Sequence, residues 1–126
     1  LPMKQMRMIP EFEVSSELTD KVRKAIVEAN EISIKSVEEY LVKNPSFDEQ
    51  KGYWGVAHVC TSHISEVTQA LQDAGFAKAY SNGDYYIDVD EYRTCNLELL
   101  EIGADAAAKY LTKELGQNFF VKTRLD

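Results

Sequence analysis

A chain of 126 residues with 44% hydrophobic side chains, and no apolar run near the roughly 20 residues that span a bilayer, reads as one globular domain without a membrane segment. Its 21 acidic against 14 basic side chains leave a net charge of -7, a field of the wrong sign for nucleic acid, anionic lipid or free nucleotide. Two cysteines, and no ordered basic start, apolar core and small-residue cleavage site before Val14, predict a cytoplasmic protein that needs neither a disulfide nor a cofactor.

The chain opens on Leu1-Pro2, which is left out of the fold reading, with Met3, Met6 or Met8 as the expected start. Residues 1–14 alternate loosely up to Val14, and Pro10 cannot donate to a ladder, which predicts an N-terminal arm or edge strand. From residue 15 to 126 a single α+β domain is expected. Ser15-Ser16 precedes Leu18, Val22, Ala25, Ile26 and Ala29, the apolar stripe of an amphipathic helix over 16–30. The pattern restarts near Ile32. Ser36 and Glu39 stand at capping-box spacing before Leu41, and Asn44-Pro45 stops the run, so a second short helix over 34–43 and a helix-turn-helix pair are predicted.

The polar stretch from Pro45 to Gly52 is a loop, and Tyr53 to Cys60 a half-buried strand with Tyr53 and Trp54 expected in the core. Thr61-Ser62 offers a hydroxyl cap for a helix carrying Ile64, Val67 and Leu71 and ending at Gly75. Residues 76–80 and 84–89 flank Asn82-Gly83, the dipeptide of a two-residue type I′ hairpin. That register sets Tyr80 against Tyr85, Lys78 against Ile87 and Phe76 against Val89. Leu97 to Ile102 fits a strand or a buried helical turn. Ala104, Ala107, Ala108, Leu111 and Leu115 then mark a helix stopped by Gly116, and Phe119 to Val121 a last strand at a sheet edge. Three or four helices on a small, mainly antiparallel sheet follow.

The segment Ser62 to Val89, a helix ending Ala-Leu-Gln-Asp-Ala-Gly-Phe and running into a hairpin, resembles the recognition helix and wing of winged-helix domains. The helices at 16–30 and 34–43 stand for the start of that fold. The resemblance implies a transcription regulator. Residues 62–75 hold no Lys or Arg, however, and phosphate contacts need cations, so a protein partner is expected rather than DNA.

Two constellations bear on chemistry. His58, Cys60 and His63 gather both histidines and one of the two cysteines into six residues, which suits a small zinc or thiol enzyme, yet the spacing matches no common zinc pattern. The bland alternative, a small buried cysteine beside two histidines, is preferred; no metal ligand and no catalytic residue is assigned. The second is the acidic, tyrosine-rich hairpin end, Asp84, Tyr85, Tyr86, Asp88, Asp90 and Glu91. Residues 45–90 carry two basic side chains against seven acidic ones, a local excess of five. Carboxylates steer a basic partner and tyrosines anchor it. The expected function is a non-catalytic protein-binding module of the inhibitor, immunity or adaptor type, in the extreme a nucleic-acid mimic, engaging a basic protein surface.

Overall fold

The structure is a computed structural model and describes residues 12–126. The expected arm or edge strand therefore lies outside the described residues up to position 11. Phe12 to Ser15 form no regular element, though Val14 packs against the core.

Helix α1 runs from Ser16 to Lys43 without interruption. Ser15 caps it, its hydroxyl accepting from the Leu18 amide at 3.1 Å. The expected break near Ile32 does not occur. The Ser36 hydroxyl donates to the Ile32 carbonyl at 2.7 Å inside the helix, so it bonds back to the preceding turn instead of capping a second helix. The stripe Val22, Ala25, Ile26 and Ala29 simply continues through Ser33 to Val37. With one helix where the winged-helix resemblance needs two, that resemblance is confined to local sequence.

After α1 come β1 (Gly55–Thr61), α2 (Glu66–Asp73), β2 (Ala77–Ala79), β3 (Tyr85–Ile87), α3 (Leu97–Leu115) and β4 (Phe120–Leu125). The sheet order is β2-β3-β1-β4, and all neighbouring pairs are antiparallel. Each strand-helix-strand unit, β1-α2-β2 and β3-α3-β4, thus joins parallel strands that straddle a third, the split βαβ arrangement. The chain is accordingly an α+β single domain with three helices among the described residues. Ala57 and Val59 of β1, Tyr85 and Ile87 of β3 and Ala77 of β2 meet Ile26, Leu71, Leu100, Ala107 and Leu111 from the helices in one core. Leu97 to Ile102 proves helical: the Asn96 side chain accepts from the Leu99 amide and starts α3, which Gly116 ends in the left-handed conformation (φ 73°).

The hairpin occurs, but in another register. Ala79 faces Tyr85, Lys78 faces Tyr86 and Ala77 faces Ile87, one residue from the expected pairing. The Gly83 amide donates to the Tyr80 carbonyl, the Tyr80 amide to the Asp84 carbonyl, and Gly83 alone takes a positive φ (89°) while Asn82 does not. These features define a three-residue loop with glycine in the bulge position, not a type I′ turn. The one-residue slip exchanges the β2 residues that share a face with Tyr85 and Ile87, Ala77 and Ala79 in place of Lys78 and Tyr80, so Lys78 and Tyr80 turn to the side of Tyr86. Thr61 and Ser62 also do not cap α2; Ser65 does, through the Thr68 amide, which leaves His63 in the preceding loop. Tyr53 and Trp54 are exposed rather than buried: β1 begins only at Gly55, and Trp54, bridged to Asn96 at the start of α3, has the parity of Val56 and His58 on the open sheet face.

Two predictions follow from these backbone positions. A Cβ at Gly83 would meet nothing within 4 Å, so Gly83→Val strains only the backbone and should cost about 1 to 3 kcal/mol in chemical denaturation. A Cβ at Gly103, by contrast, would stand 2.7 Å from the Ser33 hydroxyl oxygen and 3.0 Å from the Ser33 carbonyl. In an open helix Gly to Ala gains about 1 kcal/mol. Here overpacking costs about 1 to 3 kcal/mol and reverses the sign, so Gly103→Ala should melt lower, and adding Ser33→Ala should recover part of the loss. A higher melting temperature for Gly103→Ala alone would disprove the close α1–α3 contact.

Candidate functional site

The antiparallel pairing of β1 with β3 stops at Val59 and Ile87. Beyond Ile87 the chain leaves the sheet as Asp88-Val89-Asp90-Glu91, and β1 continues beside it to Gly55. The divergence opens a cavity of about 210 Å³ whose lining includes Ser33 of α1, His58 of β1, Ala104 of α3, and Asp88, Val89 and Glu91 of the turn. Two hydrogen bonds hold that turn: the Asp88 amide donates to the Phe76 carbonyl and the Asp90 amide to the Asn30 side chain, each at 2.8 Å.

The six hairpin-end residues do not form one surface. Asp84 is only 8% exposed and ion-paired to Lys122, and Tyr85, also 8% exposed, is part of the core. Tyr86 lies on the sheet face opposite the helices, stacked between Tyr80 (ring centroids 4.0 Å apart) and His58 (4.6 Å). Asp88, Asp90 and Glu91 are exposed around the cavity mouth. The ion pair of Asp84 is the one found among the described residues, so neither Asp88 nor Glu91 has a cationic partner there. Burial, and secondarily the Asp88 carboxylate, raises the Glu91 carboxyl above its ordinary titration range. His58 shifts the other way, because burial and the Arg124 guanidinium disfavour its cation. The cavity mouth thus presents two carboxylates without a cation of their own, an acceptor-rich edge suited to a cation.

Comparison with protein-family models, with curated proteins and with solved structures finds no match for this chain. The site has to be read from its own chemistry.

The histidine–cysteine constellation comes apart. His58 and Cys60 do share the open sheet face, but Cys60 is fully buried there beneath its neighbours, its thiol donating to the His58 carbonyl at 3.6 Å. Burial, then the Asp84 carboxylate, pushes the thiol up to about 11, the opposite of what a nucleophile requires. His63 is exposed in the loop before α2, where its carbonyl accepts from the Thr68 hydroxyl, and Cys95 is exposed elsewhere. No group of three His, Cys, Asp or Glu among the described residues is arranged to hold a metal ion. Asn30 is the last residue of the first expected helix and Ser33 lies in the turn before the second, and neither is singled out from the sequence. The signal available was Ser33 itself, a polar residue at a stripe position between Ala29 and Val37.

The thiols provide a check. In the folded protein Ellman's reagent should modify one thiol per chain rapidly, Cys95, and Cys60 only on unfolding; two equally fast thiols would contradict the burial of Cys60.

Proposed function

We propose that this chain is a non-catalytic, acidic protein-binding module that receives a lysine or arginine side chain of a basic partner between Asp88 and Glu91. The observation that carries the reading is the pair of carboxylates at the cavity mouth without a cation of their own, one of them raised in titration by the other and by burial. Such a pair costs stability in the free protein, and a bound cation removes that cost. Asp90 and the acidic excess of residues 45–90 add a long-range field that speeds encounter with a basic surface, over about 10 Å at ordinary salt.

The pH dependence has a definite sign. A carboxyl raised in the folded state favours folding while protonated and loses that contribution as pH rises through its folded value. At neutral pH Glu91 is therefore a liability to folding, and Glu91→Gln should melt no lower than the parent. Binding runs in the opposite direction, because a cation is held by the ionised form. Affinity should rise as pH passes upward through the titration of Glu91 and fall on acidification.

Titrating n-butylammonium, n-butylguanidinium and a lysine- and arginine-rich peptide into ¹⁵N-labelled protein tests this directly. The expected result is shifts centred on residues 88–91, 33 and 58, with the peptide at least about tenfold weaker, or 1.4 kcal/mol, in Asp88→Asn/Glu91→Gln at a melting temperature no lower than the parent's. Equal affinity of parent and double variant would sink the assignment.

A further inference from the structure

The sheet ends in β4, and among the described residues no strand pairs with its outer side. Alternate backbone amides and carbonyls of a six-residue strand therefore face outward, a ready template for another extended chain. Alongside runs a groove of about 460 Å³ between α3 and β4. Its lining includes Ala108, Phe119 and Val121, with Lys109 and Lys113 exposed on the helical side and Asp105 as its one carboxylate. On the opposite face of the same strand stand Lys122, opposite His58, and Arg124, opposite Val56. Lys122 is shared with Asp84, whereas Lys109, Lys113 and Arg124 have no carboxylate partner among the described residues. In a chain of net charge -7, four cations flank this edge, against Asp105 in the groove, Asp84 on Lys122 and Asp126 just past the strand.

We propose that the outer edge of β4 is a strand-addition site for an extended segment of a partner protein that alternates acidic with small apolar side chains. Main-chain hydrogen bonds to an edge strand supply affinity and alternate side chains supply selectivity. An antiparallel guest places every second side chain on the open sheet face beside Lys122 and Arg124, where carboxylates are favoured. The intervening side chains enter the groove over Ala108 and Val121, where a small apolar group fits. A second copy of this chain is the wrong guest. Self-pairing centred on Thr123 sets Lys122 opposite Arg124, and centring on Lys122 sets that residue against itself; like charges directly opposite destabilise a ladder. The cations thus keep β4 from pairing with itself and admit an acidic strand.

The test uses a capped hexapeptide alternating glutamate and valine, at about 0.15 M salt so that the field of the distant carboxylates is screened. Amide exchange and ¹⁵N shifts are followed in the whole chain. Binding should slow exchange at alternate β4 amides, those not bonded to β1, and shift Lys109 and Lys113. Methylating alternate peptide nitrogens should abolish it on the unaltered protein. Lys109→Glu/Arg124→Glu, both exposed, should weaken the glutamate peptide at least about tenfold and admit a lysine–valine peptide instead. The proposal is overturned by any of four results: no β4 change at millimolar peptide, equal binding of the lysine peptide to the parent, capture of oligothymidylate with no capture of the peptide, or a concentration-dependent dimer protecting the same amides.

Discussion

The register of the β2–β3 hairpin is the constraint on which the rest of this structure depends. Gly83 in the left-handed region lets a three-residue loop close with the Asn82 side chain accepting from the Asp84 amide, and this loop length puts odd-numbered residues of β3 under the helices. Tyr85 and Ile87 then reach Val59, Ala70 and Leu71 in the core, while Asp84, Tyr86 and Asp88 take the opposite face. With a two-residue loop the faces of β2 exchange relative to β3, Tyr80 turns to the side of Tyr85, and the stack of Tyr80, Tyr86 and His58 does not form.

A second constraint acts on the helical layer. Gly103 lets α1 and α3 approach until the Ser33 backbone and the α3 backbone nearly touch, and Ser33 is thereby brought to the cavity behind the 88–91 turn. The far end of the sheet is tied by a buried polar cluster. Gln117 donates to the hydroxyls of Thr61 and Thr68 and accepts from Ser65, while the Thr61 hydroxyl donates to the Asn118 carbonyl. Every member has a partner, so burial carries no desolvation penalty, and the entry to β4 is locked to the end of β1 and the start of α2. Between these supports the 88–91 turn is held by Val89 against the core and by two amide hydrogen bonds, one to the Phe76 carbonyl and one to the Asn30 side chain.

Charge is segregated by the same topology. The acidic turn lies where β3 leaves the sheet, on the β3 side of β1, and the lysines and arginine flank β4 on the other side of β1. The net charge of the chain describes neither surface. A partner approaching from a distance meets a negative field, whereas at contact the turn beyond β3 and the β4 edge present opposite signs.

Elements defined by local physics were legible in the sequence. The stripe of α1, the Ala-rich face of α3 with Gly116 behind it, the strand around Val59, the glycine-bearing hairpin and the edge strand after Phe119 each depend on periodicity or on a backbone requirement that neighbouring residues reveal. So were the α+β class and the acidic character of residues 84–91. What tertiary structure decided was everything set by contacts distant in sequence. Ser36 continues a helix instead of capping one because Ser33 and Val37 beside it are buried against α3, and Trp54 is exposed because it falls on the parity of Val56 and His58, the sheet face without helices. Asp84 is spent on Lys122, 38 positions away, and Cys60 is sealed by residues of β3 and β4. Periodicity reports which face of a segment is apolar; only the assembled sheet determines which carboxylates remain without a cation, because a charge is neutralised by whatever the fold brings beside it.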